Sequence, residues 1–327
     1  LFCRERDEMY RNFWFYPKVY IHESCKITTP FDMLVNQIVE RSRGNQRHGS
    51  CGVGINETVV RYRSYGIGHT ITPKTIRSLD LKYLLTYQRD IYLPKRLKEL
   101  GVSNISLNDL GVILSENIID NWIAQVNEMM DYCQVVNDDI VHDYDGLVFE
   151  GAQGLLLDEM YEEFAPYLTT SRTGIPGVNR VLYSAGLHDC RDIEMCFVSR
   201  TYFTRHGAGF FPTECSAKDL FGEDKQDATN VWNEFQGSFR YGYFEEDRFR
   251  NVCNQEFKKA KRMYPYTKLS FAFTHADETD GMVLESSGHK EIKDVVSPLS
   301  PDCFYTSIGN TRQHVIETPL KTHRKSQ

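Results

Sequence analysis

"FEGAQGLLLD", residues 149–158, sets Gly151 and Gly154 around Ala152 and Gln153, after the apolar run of residues 146–150 and ahead of Asp158 and Glu159. In an open α/β sheet, ligands sit at the carboxyl ends of strands, where glycines let backbone N–H groups come close. Reading residues 146–150 as a strand puts the Gly-Ala-Gln-Gly corner in that position. A glutamine there offers a donor and an acceptor to a purine edge. The structural alternative is a tight turn with no ligand.

Outward from the corner, short β-rich runs at 18–22, 146–150, 194–203, 269–274 and 303–307 alternate with helix-like stretches at 30–43, 107–136 and 245–263. The last carries Phe249, Val252, Cys253 and Phe257 at helical spacing. This alternation predicts an α/β fold, with a mainly parallel central sheet flanked by helices. Residues 1–327 read as one domain, with a helical subdomain at 82–140.

With 327 residues, 41% hydrophobic, the chain can bury a sizeable core. A net charge of -7 and a pI of about 5.8 argue against a nucleic-acid or membrane surface and for small ligands. Nine scattered cysteines with no C-x-x-C pair fit reduced thiols in a cytoplasmic protein and give no zinc signature. No apolar run reaches the ~20 residues of a bilayer span. The chain begins with Leu1 instead of Met, which raises the expectation of a preceding segment.

Three further stretches can carry chemistry. "PYLTTSRTG" (166–174) brings hydroxyls and Arg172 before a glycine, suited to phosphate or to an ordinary loop. "TRHGAGFFPTE" (204–214) brings Arg205 and His206 to a glycine-rich mouth after a strand, although a lone histidine is more often a surface one. "FTHADETDG" (273–281) closes another strand with Asp277, which can accept from two guanine N–H groups or cap a helix.

In order and spacing these blocks resemble the adenylosuccinate synthetase family. The resemblance also takes in "RSRGNQRHGSCGVGI" (41–55) and "TSIGNTR" (306–312), so it runs over most of the chain. It implies a P-loop-NTPase-like fold and a GTP-dependent ligase, in which the γ-phosphate of GTP activates the 6-oxygen of IMP and the amine of L-aspartate displaces that phosphate. Carried over by position, Ser50, Cys51, Gly52, Gln153, Thr169, Arg205, His206 and Gly207 bind IMP. Arg240 meets aspartate, and His275, Asp277, Ser307 and Gly309 hold the guanine nucleotide. Mg2+ and a homodimer are implied as well, with Arg61 or Arg63 near the place of the family's inter-subunit arginine.

The departures shape the expectations. Cys51 and Val53 stand where the family has threonine and arginine, which shifts phosphate binding towards backbone N–H groups. His275 replaces a lysine, and "EFQGSFRYGYFEED" (234–247) keeps only Arg240 of an arginine-rich loop. The family's catalytic aspartate, histidine and magnesium ligands belong to a region expected N-terminal to Leu1, leaving this chain half an active site, inactive alone and without metal ligands of its own. "GIGHT" (66–70) echoes the histidine segment out of order. Two other readings stay open: a bacteriophage-type 2-aminoadenylosuccinate synthetase acting on dGMP, and a noncatalytic purine-nucleotide-binding protein.

Overall fold

Thr29 and Asp32 start the longest early helix. The Asp32 amide donates to the Thr29 hydroxyl at 3.4 Å, and the Thr29 amide donates back to the Asp32 carboxylate at 2.8 Å. With Pro30 in the first turn, this capping box fixes the helix Pro30–Arg43 where its sequence pattern places it. The structure, a computed structural model, describes residues 2–65, 70–225, 227 and 229–320. Residues 66–69 of the "GIGHT" stretch lie outside the described residues. The chain divides into two compact units, Leu1–Val148 and Phe149–Gln327.

In the first unit the helix Pro30–Arg43 buries Phe31, Leu34, Val35, Ile38 and Val39 in a cluster with Leu85, Leu93 and Ile119. Strands β1 (Val19–His22) and β2 (Cys133–Val136) pair in parallel, with Val19 opposite Cys133. Residues 107–136, expected as one helix-like stretch, form two helices, Leu107–Ile113 and Glu116–Tyr132, and then β2. Val135 and Val136 suit an extended chain, and β1 offers them a pairing edge that outweighs helix continuation.

Residues 146–150 depart from expectation. They form no strand, and Val148 is 98% exposed. An apolar run becomes a strand only where another strand pairs with it, and none does so among the described residues.

The second unit is built on β3 (Glu194–Arg200), β4 (Phe203–His206), β5 (Glu214–Cys215), β6 (Phe239–Gly242), β7 (Lys268–Thr274), β8 (Met282–Glu285), β9 (Gly288–Glu291), β10 (Cys303–Ser307) and β11 (Val315–Pro319). A four-stranded sheet runs β11-β10-β7-β3; β3, β7 and β10 are parallel and β11 is antiparallel. The helix Glu246–Met263 buries Phe249, Val252 and Cys253 with Phe197, Phe271 and Phe273 of that sheet, and Phe257 packs at the rim. The expected strand at 194–203 breaks at Thr201 and Tyr202. Thr201 accepts from the Leu284 amide at 2.9 Å and from the Thr279 hydroxyl at 2.9 Å, which ends its run beside β7. The chain resumes as β4 in a separate antiparallel sheet, β4-β6-β5. The result is a mixed α/β architecture whose described strands fall into four small sheets.

Candidate functional site

The Gly151–Gly154 corner packs against the segment 158–174. A Cβ on Gly151 would stand 2.8 Å from the Thr173 carbonyl oxygen, so only glycine allows this approach. Gln153 has φ of 75°, a left-handed conformation costly for any residue with a Cβ, and its side chain is exposed. Nearby, the buried Asp158 carboxylate accepts from the Thr173 amide at 2.7 Å and the Met160 amide at 3.0 Å, and lies 3.3 Å from Arg172 Nε. The Leu157 carbonyl accepts from the Thr169 amide at 2.8 Å. Residues 151–158 and 166–174 are therefore one clamped structure. Thr173 turns its hydroxyl inward to Asp158, while the Thr169 and Ser171 hydroxyls lie 3.3 Å apart. Arg172, read as a phosphate ligand, is held by Asp158.

Arg205 joins a third segment to these two. Its Nη2 donates to the Tyr167 carbonyl at 3.2 Å and its Nε to the Ala208 carbonyl at 3.0 Å. Burial, and then the neighbouring Arg240, lower its pKa. Gly209, at φ of 102°, lies so close that a Cβ would meet the Tyr167 ring at 2.6 Å. The Gly207 and Gly209 carbonyls each accept from Arg240 Nη1 at 3.0 Å, and Arg240 also grips Glu214. The His206 ring nitrogen Nε2 lies 3.2 Å from the Gly237 carbonyl oxygen. Gln153, Thr169, Arg205, His206 and Gly207 thus belong to adjoining segments of one unit.

The guanine candidates gather at the carboxyl ends of β7 and β10. Thr306 pairs with Phe273, so Ser307 and the turn after Thr274 leave the sheet at the same edge. His275 and Asp280, with φ of 57° and 50°, bracket the short turn Ala276–Thr279. Asp277 lies inside that turn, exposed; the cap position belongs to His275, so the helix-cap reading of Asp277 does not hold. Ser307 Oγ donates to the Gly309 carbonyl at 3.0 Å, and a Cβ on Gly309 would lie 2.4 Å from the His314 ring. Burial, and then Arg200, hold the His275 pKa below its ordinary value.

Sequence reading missed Arg200, which links the two clusters. It ends β3 beside Thr274, and its Nη2 pairs with Asp227 at 2.9 Å. Its guanidinium lies 5.1 Å from the centre of the Phe239 ring, which in turn meets the His206 ring edge-on at 5.8 Å. The signal was present as an arginine closing an apolar strand, but the expected strand ran three residues too long.

In the first unit, residues 47–54 are tied to the helix Pro30–Arg43. Asn36 Nδ2 donates to Ser50 Oγ at 2.8 Å, and Gln37 Nε2 to the Gly52 carbonyl at 3.0 Å. Gly54, at φ of 83°, sits where a Cβ would strike the Asp32 backbone at 2.6 Å. The amides of Ser50, Cys51 and Gly52 donate to no acceptor among the described residues, and the helix Ile55–Tyr65 begins directly after residue 54. Arg61 is corrected as a reaching arginine: it is 2% exposed and bound to Asp32. Among the described residues no three His, Cys, Asp or Glu side chains converge as a metal site. No described helix is long and apolar enough to cross a membrane.

The sequence profile of the adenylosuccinate synthetase family matches residues 2–253. The chain is similar to the adenylosuccinate synthetase of Tolumonas auensis, at 29% identity over 203 residues, 60% of this chain and 43% of that protein. It is 28% identical to that of Shewanella amazonensis over 210 residues, 63% of this chain and 46% of the relative. For Synechocystis sp. the identity is 29% over 205 residues, 60% and 42% of the two chains. The chain therefore spans less than half the length of these curated relatives.

Proposed function

The chain belongs to the adenylosuccinate synthetase family, and we propose that it supplies the nucleotide-binding part of a GTP-dependent ligase that joins L-aspartate to the 6-position of IMP. The 6-oxo group of a purine leaves poorly. Transfer of the GTP γ-phosphoryl group to that oxygen makes it a leaving group; the aspartate amine then bonds to C6, phosphate departs, and adenylosuccinate and GDP result. In this reading, within the second unit, Gln153 meets the purine edge, Thr169 meets phosphate, and Arg205, His206 and Gly207 line the pocket; within the first unit the amides of Ser50, Cys51 and Gly52 form a phosphate-binding turn of their own. His275, Asp277, Ser307 and Gly309 take the guanine nucleotide.

The observation that carries the reading is the Asp158 clamp with Arg205, which joins three separate sequence segments into one polar, glycine-permitted surface within the family match. Asp277 supports guanine because its exposed carboxylate accepts no hydrogen bond among the described residues. For aspartate the family resemblance points to Arg240, but its guanidinium is already engaged by both Glu214 oxygens and two backbone carbonyls, so this reading assigns aspartate no ligand among the described residues. Mg2+, a cytoplasmic homodimer, and residues 82–140 as a helical subdomain complete the proposal.

The test is turnover with GTP and aspartate, comparing IMP with dGMP. Adenylosuccinate formation from IMP is the expected result. Activity on dGMP alone assigns the phage-type reaction, and nucleotide binding without turnover assigns a noncatalytic binding protein; either result overturns the proposal.

A further inference from the structure

Arg240 and Arg205 flank the same glycine-rich turn but carry different partners. Arg240 Nε and Nη2 meet the two Glu214 carboxylate oxygens at 2.7 and 2.5 Å, while Nη1 donates to the Gly207 and Gly209 carbonyls. A guanidinium has five N–H donors, and four are committed here to this turn and to the strand after it. β4 and β5 both pair with β6, placing Arg205 opposite Arg240 and Glu214 opposite Gly242, so the brace is built into the sheet register. Arg205, half-buried, bonds only to carbonyls and pairs with no carboxylate among the described residues. Two arginines share one glutamate: its carboxylate is hydrogen-bonded to Arg240 and acts on Arg205 only through space, so Arg205 is the cation left without a bonded anion among the described residues.

We infer that Arg240 and Glu214 form a positioning brace for residues 205–209, and that Arg205 is the cation that meets the anionic group of the ligand. This deepens the purine-site reading and rests on it for the identity of the ligand. It removes Arg240 from amino-acid selection: a free aspartate carboxylate gains little by displacing a glutamate already held in two-point geometry.

The test combines hydrogen exchange with binding. Arg240→Gln and Glu214→Gln are each expected to speed amide exchange in residues 205–214 and to weaken IMP about tenfold. The double variant should be no weaker than either single one, because the pair acts as a unit. The KM for aspartate stays unchanged in Arg240→Gln. Arg205→Gln should lose affinity for inorganic phosphate far more than Arg240→Gln does. A raised aspartate KM in Arg240→Gln with unchanged exchange overturns the inference, as does equal loss of phosphate in the two arginine variants. If the wild-type protein binds no IMP, the purine reading fails, and exchange in residues 205–214 still decides the brace.

Discussion

Arg61 and Asp32 meet inside the first unit as a two-point ion pair, with Nε 2.8 Å from Oδ1 and Nη2 2.8 Å from Oδ2. The same carboxylate caps the helix Pro30–Arg43 through Thr29 and accepts from the Thr58 hydroxyl at 3.2 Å. Arg61 also donates to the Ile27 carbonyl at 3.1 Å. One aspartate thus fixes a helix start, a neighbouring helix and the approach to residues 47–54.

Removing one side of this pair strands the other charge. Arg61→Ala is expected to lower stability by ~3–5 kcal/mol, the cost typical of an uncompensated buried charge. Urea unfolding measures it directly. A loss below ~1 kcal/mol, the range of a surface pair, would show that the pair does not hold the unit together.

Asp158→Asn retains size but replaces one acceptor oxygen with a donor facing the Thr173 amide, which is 2.7 Å away. The expected loss is ~1–3 kcal/mol, for a buried donor left unsatisfied. Residues 166–174 should become accessible to protease at the same time, and an unchanged cleavage pattern would remove Asp158 as their organiser.

Gln153 separates binding from stability. Its left-handed backbone favours glycine by ~1 kcal/mol, so Gln153→Gly should leave the melting temperature equal or higher while abolishing IMP binding. Gln153→Ala should lose binding as well, but with no gain in stability. Retained IMP affinity in both variants would detach this side chain from the pocket.

Asp227 predicts an acid-dependent contribution. Burial raises its pKa and is the largest single influence, yet hydrogen bonds from Thr229, Arg200 and Asn230 outweigh it and hold the carboxyl well below its ordinary range. A folded-state pKa depressed in this way stabilises above the unfolded value of ~4, and that stability is lost as pH falls below it. The difference in urea midpoint between wild type and Asp227→Asn should therefore be full at pH 7 and shrink below about pH 4. A constant difference would contradict the linkage.

How far the sequence reached can be seen residue by residue. Pro30–Arg43 was legible because cap, proline and apolar spacing agree locally. β10 was legible as a short β-rich run that finds its neighbours. Residues 146–150 were not, because strand formation depends on a partner that no local pattern reveals. Local pattern alone singles out Gly151, Gly154, Gln153, Arg205 and Asp277, because glycines and polar residues after apolar runs stand out in the sequence. The structural partners of Asp158, Arg200 and Glu214 were not legible, since their contacts span 15, 27 and 26 residues: Asp158 with Thr173, Arg200 with Asp227, Glu214 with Arg240.

Calorimetric titration with IMP and GTP, singly and then together, probes the proposed pair of nucleotide sites most directly. Both ligands should bind without displacing one another, and GTP should be preferred over ATP by a margin that Asp277→Asn reduces by ~1–3 kcal/mol. Mutual displacement of IMP and GTP, or equal affinity for GTP and ATP in the wild-type protein, would contradict it.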